Sequence, residues 1–394
     1  MQFSRYHLAI LAISVVVISA ATVAKYTHLA GGIVGSLAVV VLTLVALPWL
    51  SDRLVAAPRW VLPFAFVTVT VVLWVAFGVG YHLAHSGAFG LGSDRADALN
   101  VALTRLEHGQ YPYAATTNLG NKITPLPGAL LLAAPFQVVG DAAIQNLLWI
   151  PLFALALSGG WRLRVQPTLI WVATVLLSAE VMREYVTGDD LFVSGIYGAV
   201  ATLCVVRTTG RQRMGWFLTA SAFLGVAVCS RPEFLLLIPV VATYVWQVDS
   251  ARRAALCAVT SVTVAAALAV PFAVADWANF SPVHVLSKVT SSESITPGAV
   301  LLGLMTLAIT GAALMFFRPS TPARLYAFCA VLLALPAPLA VAQAARGGQG
   351  FNAFDLTFAA PSLAFVALAV VARLDASDPV SFGADADSVC APAE

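Results

Sequence analysis

Apolar residues in this chain fall into long blocks, and polar residues gather between them. A helix that crosses a bilayer needs about 20 apolar residues, within a range of about 17–25. Blocks of that length lie near 8–24, 29–50, 60–80, 142–160, 167–183, 191–206, 214–230, 233–247, 254–275, 298–317, 324–342 and 352–372. The pattern predicts an all-α polytopic membrane protein with about twelve transmembrane helices. Residues 1–372 form one transmembrane domain in this reading, and the acidic stretch 373–394 is a disordered cytoplasmic tail. The first block has a weak basic flank and no small-residue cleavage signal after it, so it reads as a retained span.

The longest break in the apolar pattern runs from Tyr81 to Gly140. Within it, Asp94 to His108 has helical periodicity: Leu99, Ala102, Leu103 and Leu106 fall at i, i+3, i+4 and i+7. Asp97, Asn100 and Thr104 take another face. Gly109 and Pro112 stop the helix. Such an amphipathic helix lies along a membrane surface rather than across it. Asp94 and Asp97 are three residues apart, so both carboxylates can leave the first turn in one direction. The apolar run 125–140 is short and interrupted by Pro127 and Pro135, and it reads as a surface or re-entrant helix.

The arginines orient this arrangement. With the amino terminus inside, the inner connections hold Arg53 and Arg59, Arg162 and Arg164, Arg207, Arg211 and Arg213, Arg252 and Arg253, and Arg318 and Arg324. That bias is the positive-inside pattern. It puts both termini in the cytoplasm and leaves 81–140, 184–190, 276–297 and 343–351 outside, with short outer turns at 25–28 and 231–232. If 125–140 crossed, the arginines of WRLR and RTTGRQR would fall outside.

Composition agrees: 60% of residues are hydrophobic and 10% are charged, where soluble domains carry roughly 25% charged residues. A net charge of +2 excludes a nucleic-acid-binding surface as the organising feature. Cys204, Cys229, Cys257 and Cys329 sit in apolar runs without metal-ligand spacing and read as packing residues; Cys390 lies in the tail.

The notable acidic residues outside the tail converge on the outer side. Asp94 and Asp97 lie in the first outer loop, Asp189 and Asp190 in MREYVTGDDLF, Glu233 in SRPEF, and Glu293 in 276–297. Carboxylates at a membrane edge need water or a partner. The structural alternative is that Asp94, Asp189 and Asp190 cap the helices that follow them. His284 and Lys288 read first as a solvated loop face. Tyr111 and Tyr113 in QYPY are interfacial anchors or a sugar platform, with the anchor favoured. Lys122 either snorkels to headgroups or meets a lipid phosphate. ARGGQGF, around Arg346, reads as a tight outer turn rather than a phosphate cradle. Arg231 lies at the outer boundary against the charge bias. It is either half of an ion pair with Glu233 or a clamp on a lipid-linked phosphate.

A span, then an Asp, then a surface helix ending in G-x-Y-P-Y, then a proline-led apolar segment resembles the GT-C glycosyltransferases. These include polyprenyl-phosphate-mannose-dependent mannosyltransferases and the oligosaccharyltransferase catalytic subunit. The likeness covers Tyr81 to Glu233, and beyond that only topology. The family's first outer loop carries a catalytic Asp or Glu, which implies that role for Asp94 or Asp97. A second outer-loop acidic motif is matched by Asp189 and Asp190. An R-P-E-like turn is matched by Arg231, Pro232 and Glu233. The chain departs from the family in having two spans before the one that leads into the Asp loop. No large soluble carboxy-terminal domain follows, which disfavours a protein acceptor.

The resemblance implies inverting transfer of a sugar, mannose or another pentose or hexose, at the outer face. The donor is a polyprenyl phosphate and the acceptor a lipid-linked or other glycan. The Asp takes the acceptor proton as its oxygen attacks the anomeric carbon. The phosphate leaves as a stable anion, and cationic residues or a divalent cation stabilise it. Tyr113, Lys122, His284, Lys288 and Arg346 join Asp189, Asp190, Arg231 and Glu233 as candidate substrate-binding groups. A polytopic transporter or lipid flippase is the competing reading, and it predicts ionisable residues deep in the spans. A non-catalytic scaffold is the third, and it predicts that Asp94 and Asp97 tolerate substitution.

Overall fold

A computed structural model describes residues 5–27, 29–86, 94–160, 162–211, 213–284, 310–311, 313, 318–338, 341, 345 and 356–376. It is helical, with no strand among those residues. Fourteen helices are named here: α1 (Arg5–Tyr26), α2 (Leu29–Ala56), α3 (Val61–His85), α4 (Arg95–Glu107), α5 (Pro127–Val139), α6 (Gln145–Ser158), α7 (Val165–Leu177), α8 (Ala179–Thr187), α9 (Leu191–Thr208), α10 (Met214–Val228), α11 (Leu237–Val248), α12 (Ala251–Ala275), α13 (Pro322–Ala334) and α14 (Ser362–Ala376). Among the described residues, six helical segments are long and apolar enough to cross a membrane, or eight if each of two bent pairs is one span. The helices α10, α11 and α13 lie where spans are expected but have only 15, 12 and 13 residues. The expected span 298–317 and the tail beyond Ala376 lie outside the described residues, apart from isolated positions of the span.

Burial separates a centre from a rim. The best windows of α9 and of Leu356–Ala376 are 72% and 78% buried, whereas those of α2, α3 and α12 are 17% buried. Many exposed side chains along those rim helices are Val, Leu, Phe and Trp, which suits lipid contact rather than water. Small residues bring the central helices together. A Cβ on Gly195 would lie 2.5 Å from Pro361 Cα, and one on Gly225 would lie 2.6 Å from the Ser261 carbonyl. Such close backbone approach is how membrane helices associate without a hydrophobic driving force between them.

Two helix breaks shape one end of the bundle. The expected span 167–183 is not continuous: α7 ends before Ser178, and α8 leaves at 76°. Ser178 has an extended backbone, and its hydroxyl accepts from Val181 N at 3.2 Å, which starts a new helix. Its residues Glu180, Arg183 and Glu184 are too polar to continue an apolar span. The second break, of 104°, separates α5 from the helical segment Ala142–Ser158. Asp141 caps the new turn by accepting from Ala143 N at 2.8 Å. Its Oδ2 accepts from the Tyr81 hydroxyl, and Asn100 Nδ2 donates to Oδ1 beside Ala143 N, so α3, α4 and the α5–α6 turn meet on one carboxylate.

At its other end α5 abuts α10. Leu126 N and Gly128 N donate to the carbonyls of Ser230 and Cys229, at 3.0 and 2.8 Å. Free N–H groups of one helix start thereby satisfy free carbonyls of another helix end. A Cβ on Gly128 would come within 2.3 Å of the Val226 carbonyl, so only glycine permits this approach.

The two ends of the bundle differ. At one, Arg164 joins the start of α7 to Asp375 at the end of α14, and Arg207 reaches the Ala156 carbonyl at the end of α6. Arg253 pairs with Asp249 at the α11–α12 turn. Exposed Trp49, Trp60, Trp216 and Trp246 lie near the same end, as interfacial tryptophans do. At the opposite end lie α4, α5, α8 and most of the acidic side chains.

Candidate functional site

Three elements build the acidic end: α4, the loop 115–126 that follows it, and the broken helix α8 with the turn into α9. Asp94 occupies the N-cap position of α4, but its side chain makes no capping bond. Instead Asp94 Oδ2 accepts from Thr117 Oγ1 at 2.8 Å and Asn121 Nδ2 at 2.7 Å. The capping alternative therefore gives way to a carboxylate held by the loop. Asp94 Oδ1 takes no hydrogen bond among the described residues and stays available. Asp97 accepts from Asn118 N at 2.6 Å and Asn118 Nδ2 at 3.0 Å, so both its oxygens are engaged. Gly120, at φ +77°, closes the tight turn that presents these donors, and a bridge between Thr116 and Lys122 flanks it.

The second set is a chain of charges on α8. Arg183 donates to Glu180 Oε1 at 2.7 Å and to Asp189 Oδ2 at 3.2 Å. Glu180 also accepts from Thr22 of α1. Arg95, the residue after Asp94, lies 3.6 Å from Glu184 Oε1 and 4.0 Å from Asp189 Oδ2. The carboxylates of Glu180, Glu184 and Asp189 are essentially inaccessible, while the side chains of Arg95 and Arg183 are each 19% exposed. Two guanidiniums thus cover buried acids, and their side chains stay partly exposed. Arg95 also lies over the ring of Phe358, 5.5 Å from its centre.

The third set is Arg231 with Asp190. Asp190 stands at the N-cap position of α9, again without a side-chain cap, and its Oδ1 accepts from Arg231 Nη2. Arg231 Nη1 reaches Thr124 at 3.3 Å. The expected Arg231–Glu233 ion pair does not form; Pro232 starts a 3-10 turn, Pro232–Leu236, and Asp190 takes the guanidinium. Glu233 is half-buried.

The remaining candidates scatter. Tyr113 is 2% exposed; its hydroxyl donates to Pro125 O, and Phe272 and Phe280 pack on its ring. That placement corrects the sugar-platform alternative, because no face of the ring is open to a ligand. Tyr111 donates to the carbonyls of Phe272 and Asp276, and its hydroxyl is pushed up to about 12, by desolvation first and then by Asp276. Lys122 is exposed and makes no ion pair among the described residues. The backbone of His284 ends a 3-10 turn beside this region. Its side chain, Lys288, Glu293 and Arg346 lie outside what is described. Among the described residues, no group of three His, Cys, Asp or Glu side chains could hold a metal ion.

Arg95, Glu180, Arg183 and Glu184 received no role from the sequence. A signal was present: Glu180 and Arg183 stood inside an expected span, where ionisable side chains mark functional or paired positions. Arg95, next to Asp94, lies 4.0 Å from Asp189 Oδ2, which brings the first-loop acids and the TGDD acids to one locality.

No protein-family model, curated relative or solved structure matches the chain. What the fold and site define is therefore a class: a polytopic α-helical membrane protein with a charged, partly accessible cluster at one end of its bundle.

Proposed function

We propose that the chain is a membrane glycosyltransferase of the GT-C kind, with about twelve spans, moving a sugar from a polyprenyl phosphate to a glycan or glycolipid acceptor at the outer face. The observation that carries this reading is the meeting of Asp94, with one free carboxylate oxygen, and the guanidiniums of Arg95, Arg183 and Arg231 at a single end. Inverting transfer from a lipid phosphate needs those two things: a base for the acceptor hydroxyl and fixed positive charge for the leaving phosphate.

Asp94 is the base in this mechanism. Thr117 and Asn121 fix its Oδ2 and leave Oδ1 without a hydrogen bond among the described residues. The acceptor oxygen attacks the anomeric carbon as its proton passes to Asp94. The bond from that carbon to the phosphate oxygen breaks, and the phosphate departs with the electron pair. The side chains of Arg95 and Arg183 are partly exposed at this end, and planar guanidiniums suit phosphate oxygens. Asp97, with both oxygens engaged by Asn118, holds the loop instead.

The test is transfer from a radiolabelled mannosyl-phosphoryl-polyprenol, with matching pentosyl donors, by the full chain in nanodiscs containing glycolipid acceptor. Asp94→Asn should lower the rate by roughly 10²–10⁴-fold, and Asp97→Asn by less. A flippase would instead move a fluorescent polyprenyl phosphate between leaflets without breaking its sugar bond. Transfer undiminished in both variants would sink the proposal.

A further inference from the structure

The interface of α6 and α9 carries a polar stripe that the proposed chemistry does not use. Asp190, Ser194 and Tyr197 are spaced i, i+4 and i+7 along α9, so they share one face. Gln145, Asn146 and Trp149 are spaced i, i+1 and i+4 at the start of α6. The two faces meet: Tyr197 donates to Gln145 Oε1, its ring stands edge-on to Trp149 at 5.0 Å, and Asn146 Nδ2 donates to the Asp189 carbonyl at 3.2 Å.

Six buried polar atoms of this region have no hydrogen-bond partner among the described residues. They are Gln145 Nε2, Asn146 Oδ1, Trp149 Nε1, Asp190 Oδ2, Ser194 Oγ and Arg231 Nε. Gln145, Asn146, Asp190 and Ser194 are at most 2% exposed, and Arg231 is 7% exposed. Native proteins rarely leave even one such group unsatisfied, because each has lost its bonds to water without replacement. Here they cluster on two facing helix turns and on the arginine beside them.

The chemistry of the six atoms restricts the ligand. Gln145, Trp149 and Arg231 present donors, Asn146 and Asp190 present acceptors, and Ser194 can be either. A metal cation would satisfy only the acceptors. An anion would satisfy only the donors and would face the Asp190 carboxylate. A ligand that both donates and accepts, and is small enough for a helix interface, satisfies all six. We infer that a file of ordered water molecules occupies the α6–α9 seam, running from the Asp190–Arg231 pair to Trp149 and Tyr197.

Residues 190 to 197 span seven helical steps, so the file reaches about 10 Å into the bundle. Buried water of this kind is part of a structure, each molecule bonding two to four polar groups. It hydrates the Asp190–Arg231 pair, which lowers the desolvation burden of keeping two charges inside. The inference stands whether or not the chain transfers a sugar, since it rests on the seam alone.

The seam can be tested by X-ray hydroxyl-radical footprinting of the full chain in nanodiscs, in water enriched with oxygen-18. Radicals made from water held in place label the side chains beside it. Tyr197, at 1% exposure, should be labelled several-fold faster than Trp171 and Phe192, which are equally buried and stack on each other away from the stripe. Labelling of Tyr197 as slow as that of Trp171 and Phe192 overturns the file. Fast labelling of all three also overturns it, because it would show general access rather than a local seam. A second measurement uses Ser194→Ala. In a dry seam, removal of an unsatisfied hydroxyl raises the melting temperature; in a hydrated seam the water loses a partner and no rise occurs.

Discussion

The two ends of the bundle carry arginines for different physical purposes. At the end that holds Trp49 and Trp60, guanidiniums finish helices. Arg164 donates to the carbonyls of Leu157 and Ser158 and pairs with Asp375, and Arg207 donates to Ala156. Arg253 pairs with Asp249 and reaches the Arg211 carbonyl. Each cation there answers a carbonyl of a helix end or a turn, and the carboxylates that Arg164 and Arg253 also meet are partly exposed. At the α4–α8 end, Arg183 and Arg231 answer full carboxylates that are buried, and Arg95 reaches two more. Charge at the first end terminates structure and orients the chain; charge at the second is concentrated, partly accessible and surrounded by polar atoms without protein partners. An arginine count per connection does not separate these uses, and the identity of the partner does.

The comparison predicts a gap in stability. Arg183→Ala or Arg231→Ala leaves a buried carboxylate without its cation, which should cost about 3–5 kcal/mol. Arg207→Ala removes one cap on an exposed carbonyl and should cost about 1 kcal/mol or less. Thermal melting in detergent compares the three, and equal losses would erase the distinction. Arg231→Lys sharpens it: the charge stays but the fork to Asp190 and Thr124 is lost. A phosphate clamp then loses transfer while melting stays near normal.

A smaller effect is expected where α5 meets α10. Gly128→Ala drives a methyl into the Val226 and Cys229 carbonyls and should cost about 1–3 kcal/mol. No change in melting would show that the helix junction yields. The smallest effect belongs to Asp249. Desolvation raises its carboxyl, but the Gly210 N–H and Arg253 outweigh that and hold it below the ordinary value. A depressed acid contributes stability above its unfolded pKa, about 3.9. That contribution is lost as pH falls through the lower folded value. Asp249→Asn should therefore melt lower than the parent at neutral pH, and the difference should close in acid.

Much of this arrangement was legible from hydrophobic pattern. Apolar blocks located the helices, Gly109 and Pro112 marked the end of α4, and the prolines of 125–140 signalled an irregular helix. The break at Ser178 was not legible from hydropathy, because Val, Leu and Met on either side average out three charged residues of α8. Nor was the pairing of Arg231. Sequence proximity favoured Glu233, two residues away, but Pro232 turns the backbone and Asp190 comes from another helix. The role of Thr117, Asn118 and Asn121 depends on a loop folding back onto α4. Nothing in the spacing of those residues reports that contact.

The claim that chemistry resides at the α4–α8 end is tested most directly by measuring sugar transfer in two variants of matched stability, Asp94→Asn and Arg207→Ala. Substitution at Asp94 should remove transfer by roughly 10²–10⁴-fold, while Arg207→Ala keeps the parent rate. Parent-level transfer by the Asp94→Asn protein, or an equal loss in both, would contradict the account.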